Sequence, residues 1–471
     1  MNMQNISRKD FIKKLGLATL GVAGAGMLNA CKQSVDKGKD RIHPDDVPAD
    51  DMTYRTDNRT KDKVSLLGFG CMRLPTIQQD DEKTQDEEVD QQIVNKMVDY
   101  AISHGVNYFD TSPAYCQGMS EKAMGIALSR HPRESYFIAT KLSNFAKKTH
   151  TRESSMEMYK KSFELLQVSY IDYYLLHSVG GGEDSMQMFN ERYEDNGMLD
   201  FLLEQRQSGK IRHLGFSYHG DVKIFDYLLS INDRCHWDFV QIQMNYLDWN
   251  HAKDTNKRNT DASYLYGRLE ELGIQVIIME PLLGGRLAEV PGGVAKHFLE
   301  REPDRSIASW AFRFVGSFPN VLTVLSGMKY MEHLQDNIIT YSPLNPLNEE
   351  EMAFMEEMAK QIVKFPSIPC TGCEYCMPCP YGINIPDIFA HYNKFVSESR
   401  MPDKESETYR KNRREFIIDY ARRIERERQA DHCIGCKRCI AHCPQRIKIP
   451  SELRRIDKFI QELNKDMYTN L

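Results

Sequence analysis

The stretch Asn107-Tyr108-Phe109-Asp110-Thr111-Ser112-Pro113-Ala114-Tyr115 closes a short β-rich run with an acid and places a tyrosine five residues beyond it. Two later runs, Ile138-Ala139-Thr140-Lys141 and Tyr174-Leu175-Leu176-His177, also end in an ionisable residue. One such residue at a strand end is typical of a structural position, whereas three in succession are not expected by chance. Active sites of (β/α)8 barrels lie at the carboxyl ends of the strands, so this pattern predicts such a barrel.

On both sides of this stretch, from Val64 onward, short β-rich runs alternate with amphipathic stretches. The predicted strands are 64–68, 108–110, 136–140, 173–176, 213–216, 239–243, 276–279 and 322–325. The predicted helices include 92–103, 121–130, 152–166 and 262–272. Eight such units agree in number and size with an α/β fold of the (β/α)8, or TIM barrel, class. An open doubly wound sheet is the alternative, but no glycine-rich phosphate-binding motif follows the first predicted strand.

The length and charge of the chain limit its organisation and its partners. A chain of 471 residues is too long for one ordinary core and predicts two or three folded units. The net charge of −6 argues against nucleic acid as the main partner, because such surfaces are usually clustered and basic. The arginine-rich stretch 410–428 has glutamates interleaved throughout, which indicates a solvated helix face.

Eight of the twelve cysteines fall in two short runs near the C-terminus, each of which ends in Cys-Pro. These cysteines are Cys370, Cys373, Cys376 and Cys379 in the first run, and Cys433, Cys436, Cys439 and Cys443 in the second. The second run has the spacing of bacterial two-cluster ferredoxins, and the first is one residue shorter before its last cysteine. The runs therefore predict two [4Fe–4S] clusters. Zinc is the alternative, although zinc ribbons use pairs of cysteines rather than runs of four.

The two runs are expected to exchange their last cysteines, because the cysteine before proline usually ligates the other cluster. Cys443 is then expected to join the first three cysteines of the first run, and Cys379 the first three of the second. The residues between the runs look helical over 388–395 and 407–428, so the region 348–471 resembles an α-helical ferredoxin-type domain. Cys71, Cys116 and Cys235 are predicted to be free thiols in or near the barrel.

Over roughly 63–345 the chain resembles the aldo/keto reductase family. The motifs that carry the resemblance are Leu67-Gly68-Phe69-Gly70, 109–115 as quoted above, Thr140-Lys141, Leu175-Leu176-His177, Gly215-Phe216-Ser217 and Glu280-Pro281-Leu282. The resemblance implies a barrel over 62–347 and a catalytic tetrad of Asp110, Tyr115, Lys141 and His177. Tyr115 would be the general acid for carbonyl reduction, or the general base for alcohol oxidation. Lys141, held by Asp110, would lower the phenol pKa, and His177 would orient the carbonyl oxygen.

The resemblance also implies a nicotinamide cofactor, although the expected contacts are only partly present. Ser217 and Gln241 stand where the family contacts the carboxamide, and Asn337 retains an adenine-side position. The asparagine that usually follows the serine is Tyr218, and Met279 replaces a stacking aromatic. For the phosphate of NADP(H), Lys329 and His333 are present but the usual arginine is absent. NADP(H) is therefore the default, and NAD(H) or no exchangeable nicotinamide stays open.

The N-terminus is expected to be a targeting segment. A polar, basic stretch at 7–14 precedes an apolar stretch at 15–30 that is rich in Gly and Ala and too short to span a membrane comfortably. We predict a signal peptide over 1–31 that resembles a twin-arginine signal, with Lys9 in place of the second arginine after Arg8.

The end of this segment, Leu28-Asn29-Ala30-Cys31, resembles a lipoprotein box, which would make Cys31 the lipid-bearing first residue. The protein is then exported, as a periplasmic protein or a membrane-anchored lipoprotein. An uncleaved helix on a cytoplasmic protein is the alternative. Residues 32–61 are predicted to be a flexible tether.

Taken together, these features predict an oxidoreductase that interconverts a small-molecule carbonyl and an alcohol. Its electrons are expected to pass through the two clusters to or from a further partner. A non-catalytic or redox-sensing barrel with structural clusters is the alternative. The long loop at 178–197, after the fourth predicted strand, is expected to help select the substrate.

Overall fold

Apolar β-rich runs that are buried on both faces form the wall of a barrel, as parallel strands covered by helices do. The computed structural model describes residues 46–77, 88–181, 184–256 and 258–468. Eight parallel strands close on themselves, because the last strand pairs with the first through Val324 and Leu67. The predicted (β/α)8 class is therefore confirmed. The barrel strands are Leu67–Gly70, Tyr108–Asp110, Phe137–Leu142, Ile171–Val179, Ile211–Tyr218, Phe239–Gln243, Gln275–Met279 and Val321–Gly327.

Helices follow the strands and pack on the outside of the barrel. The first, Gln91–Ser103, begins where the Asp90 carboxylate accepts from the backbone N–H groups of its first turn. Its buried residues, Val94, Met97, Val98 and Ala101, recur at helical spacing and face the core. The other helices of this part are Ser120–Leu128, Arg152–Leu166, Ser185–Phe189, Met198–Gln207, Val222–Ser230, Asn232–Cys235, Asp248–Thr255, Ala262–Glu271, Gly292–Arg301, Ile307–Gly316 and Met331–Tyr341.

The first predicted strand, 64–68, was wrong in its bounds. The structure breaks it near Leu66, so that Lys63–Ser65 pairs antiparallel with Tyr54–Thr56 and the barrel strand starts at Leu67. Val64 and Leu66 are both fully buried, so the alternation of side chains does not mark the break. Two further short strands, Thr76–Ile77 and Glu88–Val89, pair with each other beside the barrel.

The predicted tether, 32–61, was wrong at its C-terminal end. Residues 54–56 form a strand, and Asp57 is only 3% exposed. The Asp57 carboxylate accepts from the Tyr173 hydroxyl at 3.1 Å and from the backbone N–H of Thr60 at 2.9 Å. These bonds fix the segment against the amino ends of the strands. The predicted signal peptide, with Cys31, lies outside the described residues.

The barrel's packing also extends past the predicted boundary at residue 347. Helix Glu349–Ile362 begins with a capping box formed by Asn348 and Glu351. Its buried face, which includes Met355 and Met358, belongs to the barrel core. Glu351 also accepts from the fully buried Arg313 at 2.8 Å.

The smaller C-terminal domain is helical, as predicted, and has its own core. Helices Ile385–Ser397 and Tyr409–Arg423 fall on the two predicted stretches, and a third helix, Ile449–Tyr468, was not predicted. Phe389 and Phe416 are among the fully buried side chains of this core. The barrel and these helices lie within one compact unit. Among the described helices, none has the length and apolar character that membrane crossing requires.

Candidate active site

The structure brings the four tetrad residues together at the carboxyl ends of the second, third and fourth barrel strands. The Lys141 ammonium donates to the Asp110 carboxylate at 2.5 Å and to the Thr111 carbonyl oxygen at 2.8 Å. The Lys141 nitrogen lies 4.8 Å from the centre of the Tyr115 ring. That ring meets His177 edge-on, with 5.9 Å between ring centres. The predicted residues therefore share one site, and their roles stay predictions.

Lys141 and Asp110 form an ion pair that is almost completely shielded from solvent, with side chains 1% and 3% exposed. Burial lowers the pKa of Lys141, and the adjacent carboxylate opposes that shift. A buried pair of this kind is stable only with both partners present, since either alone would be an uncompensated charge.

The pKa of Tyr115 does not shift in the direction expected from Lys141. Burial raises it well above its usual value of 10, and Tyr375 and Asp110 raise it further. The phenol therefore keeps its proton at neutral pH, which suits a general acid in carbonyl reduction. For alcohol oxidation the same group must first lose that proton.

His177 is held as a neutral imidazole. Burial lowers its pKa well below 6.5, and the charge of Lys141 lowers it further. Its Nδ1 is in hydrogen-bond contact with the Ser143 hydroxyl at 2.6 Å and the Ser112 hydroxyl at 3.2 Å. Among the described residues no partner engages Nε2, so that nitrogen is free to bond a substrate oxygen.

A cavity of about 480 Å³ opens beside Tyr115, which is a volume typical of small-molecule sites. Residues from the predicted selectivity loop, 178–197, line one side. One of them, Arg192, is buried, donates to the His177 carbonyl oxygen at 2.6 Å, and lies 5.2 Å from the centre of the Phe145 ring. The walls thus combine polar and aromatic groups.

The opposite side of this cavity comes from the first cysteine run, including Cys373 and Tyr375. Tyr375 stacks at a tilt on Phe145, with 6.2 Å between ring centres, and its phenol lies close enough to Tyr115 to raise the pKa of that residue. The ferredoxin-type domain therefore contributes a side chain to the barrel's own site.

Contacts around the barrel mouth keep the C-terminal domain in this position. The Arg446 guanidinium donates to the Gly180 carbonyl oxygen at 2.7 Å, and the Gln445 amide to the Gln243 side chain at 3.0 Å. The Arg73 guanidinium donates to the Thr371 carbonyl oxygen. Gly284 packs so closely against the Thr371 backbone that a side chain at position 284 would have no room. The first run thus covers the loop after the seventh strand.

The eight cysteines of the two runs are free thiols, and their division into two crossed ligand sets stays a prediction. Burial raises the pKa of Cys373, and the nearby thiols of Cys443 and Cys370 raise it further. These neighbours agree with the predicted set of Cys370, Cys373, Cys376 and Cys443, hereafter the proximal group, although Cys439 also raises the pKa of Cys376.

Burial raises the pKa of Cys439, and the nearby thiols of Cys433, Cys379 and Cys436 raise it further. These four cysteines are hereafter the distal group. Two sets of four thiols are the donor set that two [4Fe–4S] clusters require, so the residues fit these cofactors. Among the described residues, no three His, Cys, Asp or Glu side chains converge closely enough to hold a single metal ion.

The predicted nicotinamide contacts are partly in place. Ser217 and Gln241 are neighbours across paired strands, and the buried Gln241 carbonyl oxygen has no partner among the described residues. An unsatisfied buried acceptor fits the amide N–H of a carboxamide. Asn337 is buried and donates to the Ser326 hydroxyl at 2.9 Å, and the Tyr218 hydroxyl contacts Thr260 at 3.2 Å. The residues present therefore fit the nicotinamide end better than the adenine end.

Comparison with known proteins identifies the family of the barrel and the type of the C-terminal domain. The profile of the aldo/keto reductase family matches residues 66–360. The chain belongs to the aldo/keto reductase family. It is an oxidoreductase of that family, and a second profile, the 4Fe-4S dicluster domain, matches residues 369–449. Its family membership supports a nicotinamide cofactor in general terms, and the dicluster match supports iron–sulfur binding.

The relatives named below each match about two thirds of this chain. This chain is 26% identical over 330 residues to the uncharacterized oxidoreductase YqkF of Bacillus subtilis, and the match covers 63% of this chain and 94% of that protein. It is 25% identical over 311 residues to L-galactose dehydrogenase of Arabidopsis thaliana (62% and 89%). The holo form of aldo-keto reductase AKR11C1 from Bacillus halodurans shares the fold, with 24% identity, a TM-score of 0.51, and coverage of 65% and 96%.

Sequence reasoning missed three residues of the site. Ser143 and Arg192 carry no motif of their own, and only the fold brings them to His177. Tyr375 lies inside a cysteine run, where its neighbours signal a cluster and not a barrel site. Its role could be predicted only from the way in which the run folds back over the barrel mouth, which the sequence does not indicate.

Proposed function

We propose that this aldo/keto reductase interconverts an alcohol and a carbonyl in the cavity beside Tyr115, and that its electrons pass through two [4Fe–4S] clusters. The placement of Tyr375 in the same cavity as Tyr115 is the observation that carries this proposal. Tyr375 lies between Cys373 and Cys376, so the proximal group is next to the group that handles the substrate proton. A cluster domain with a purely structural role would have no need of this placement.

Within this proposal the chain's own residues handle the proton. Tyr115 donates it to the substrate oxygen in reduction and removes it in oxidation. His177 donates from Nε2 to the same oxygen and orients it, while Lys141 supplies the positive charge that stabilises a phenolate. Hydride transfer at the substrate carbon is the chemistry that a nicotinamide supplies when bound.

We propose a polyhydroxylated, sugar-like substrate. The cavity pairs the aromatic rings of Phe145 and Tyr375 with polar groups that include Arg192 and Gln117. Aromatic faces and hydrogen-bonding groups together suit a ring that carries several hydroxyls. One relative, L-galactose dehydrogenase, is named for such a substrate.

For the nicotinamide we propose NADP(H), with NAD(H) as the alternative outcome. Lys329 lines the cavity and is the cation placed to meet a phosphate, with His333 one helical turn further on. NADPH and NADH titrations monitored by fluorescence should give tighter binding of NADPH. Lys329→Ala should weaken NADPH about tenfold and leave NADH unchanged, and equal weakening of both would contradict the assignment.

Electron relay is tested with anaerobic, cluster-loaded protein. A panel of aldoses and polyols, L-galactose among them, is added and the EPR signal of reduced clusters is followed. We expect one or more substrates to reduce the clusters, and Tyr115→Phe to slow that reduction by about 100-fold. If substrate is oxidised with added NAD(P)+ while the clusters stay unchanged, the clusters are structural or redox-sensing and the relay is wrong.

We also propose that the protein is exported and anchored by lipid on Cys31. The support is the basic, then apolar N-terminal sequence that ends in Leu28-Asn29-Ala30-Cys31. Export by a route that carries folded proteins suits a chain whose clusters are inserted before transport.

A further inference from the structure

The distal group is the end of the cluster domain that faces solvent. Cys436 is the exposed cysteine among the described ones, whereas two cysteines of the proximal group, Cys373 and Cys443, line the cavity beside Tyr115. If electrons enter near Tyr115, as the proposed function holds, they leave most directly where the second ligand set reaches the surface. The side chains around Cys436 are therefore the ones that would meet an electron carrier.

Two large apolar side chains are exposed around this ligand set. Ile434, directly after Cys433, is 63% exposed, and Tyr381, two residues after Cys379, is 44% exposed. Single exposed apolar residues are ordinary on protein surfaces. These two, however, each lie within two residues of a ligand of the same predicted cluster, so both are exposed close to it in the chain.

The same surface carries unpaired positive charge. Lys437, Arg438 and Arg454 are exposed, and within the described part of the chain none of them forms an ion pair. The Arg454 guanidinium lies 3.5 Å from where a side chain at Gly435 would begin, so it sits over the second cysteine run. We call these three cations, with Ile434 and Tyr381, the distal face.

Nearby acids do not cancel this charge. Asp431 is paired with Arg426 at 2.6 Å, and Glu452 with Arg455 at 2.7 Å. Glu427 approaches Gly382 only with its backbone oxygen, so this contact does not place its carboxylate against these cations. The chain as a whole carries a net charge of −6, so the positive face is a local feature.

We propose that the distal face docks a small acidic carrier protein that takes or gives one electron at a time. This inference rests on the two clusters of the proposed function. Complementary charge speeds the encounter and orients the partners, and the apolar tips exclude water at the contact. In each transfer one electron leaves a reduced cluster and the carrier gains it. Oxidation of one alcohol therefore uses two such transfers and releases two protons to solvent.

The test uses the full-length protein with its clusters loaded, reduced with dithionite and freed of excess reductant. Its reoxidation by purified flavodoxin, which is acidic, and by cytochrome c, which is basic, is followed by stopped flow at several ionic strengths. We expect flavodoxin to react faster than cytochrome c, and its rate to fall as salt rises. Binding of flavodoxin is measured separately by sedimentation.

The variant combines Lys437→Glu, Arg438→Glu and Arg454→Glu. We expect it to react with flavodoxin about 10- to 100-fold more slowly at low salt and to bind it correspondingly less well. Arg454→Glu alone lies outside the cysteine run, and a decrease of several-fold is expected from it. Iron and sulfide analysis verifies that each variant retains its clusters.

The matched control combines Arg410→Glu, Lys411→Glu and Arg414→Glu, three exposed cations at the start of helix Tyr409–Arg423. They lie about 14 to 20 Å along the helix from its end at Arg423, after which the chain leads to the second run. The control should stay within twofold of the parent protein.

Equal losses in the control and the distal variant, or a preference for cytochrome c, would overturn the docking face. Faster oxidation by a short-chain quinone, unaffected by charge reversal, would assign the exit to a membrane quinone and overturn it as well. Because dithionite supplies the electrons, the docking test stands apart from the substrate test. A negative result in one leaves the other interpretable.

Discussion

Tyr375, from the first cysteine run, lines the same cavity as Tyr115 at the barrel mouth. The two rings belong to different domains, and Phe145 packs beside both Tyr375 and His177. The barrel site is therefore complete only when the cluster domain is seated. Loss of the cluster domain should damage acid–base catalysis as well as electron transfer.

Tyr375→Phe tests this link directly. The change removes a polar hydroxyl from the cavity beside Tyr115, which is expected to cost about 0.5–1.5 kcal/mol, so kcat/KM should fall about 2- to 10-fold. Iron content should not change, since the ligands are intact. Tyr264→Phe, on an outer helix where the hydroxyl donates to Asp226, is the matched control and should be silent. Identical kinetics for the two variants would remove Tyr375 from the site.

The pH dependence should differ between the two directions of the reaction. Reduction needs the proton of Tyr115, whose pKa burial raises well above 10, so its rate should stay level through pH 7–9. Oxidation needs the deprotonated form, so its rate should rise with pH across that range. His177, with its pKa well below 6.5, stays neutral and adds no acidic limb near pH 6.

The check on this prediction is a pH–rate profile for kcat/KM in each direction, with Tyr115→Phe alongside. The variant should lose about 100-fold or more in both directions and should not show the rise in oxidation. A rise that persists in Tyr115→Phe would mean that another group carries the proton.

Replacing Lys141 alone should destabilise the barrel strongly. Lys141→Met leaves the Asp110 carboxylate buried without its partner, which is expected to cost about 3–5 kcal/mol of unfolding free energy. The double variant Asp110→Leu with Lys141→Met removes both charges and should cost less. Denaturant unfolding of the two variants measures the difference, and a double variant that is less stable than the single would contradict the argument.

The sequence predicted those site residues that are ionisable and that directly follow a strand. Asp110, Lys141 and His177 each follow an apolar run, so their placement at one end of the barrel follows from parallel strands. The break near Leu66 was invisible, because the residues on both sides of it are buried and apolar. Tyr375 could not be predicted, because its role depends on how one domain seats on the other. Local patterns carry no information on that contact.

The N-terminal proposal predicts the form of the mature protein. Residues up to Ala30 should be absent, and mass spectrometry of the first peptide should find lipid on Cys31. Arg8→Lys removes the remaining arginine of the twin pair and should retain unprocessed protein in the cytoplasm. Lys14→Arg, outside the pair, is the control and should be processed normally. An intact N-terminus in soluble protein would refute the export proposal.

The exchange of last cysteines between the runs gives a prediction that separates crossed from uncrossed ligand sets. Anaerobic protein should contain about eight iron and eight sulfide per chain, as two cubanes require. Cys443→Ser removes a ligand of the proximal group, although Cys443 belongs to the second run. It should therefore alter the cluster beside Tyr375 and slow its reduction by substrate, while the distal cluster keeps its EPR signal. Cys379→Ser should do the reverse, because Cys379 lies with Cys433, Cys436 and Cys439.

Cys235→Ser, a buried barrel thiol, is the control and should leave both signals unchanged. If Cys443→Ser instead damages the distal cluster, each run ligates its own cluster. Stoichiometric zinc in place of iron would end the relay proposal and leave a reductase barrel with a zinc-binding C-terminal domain.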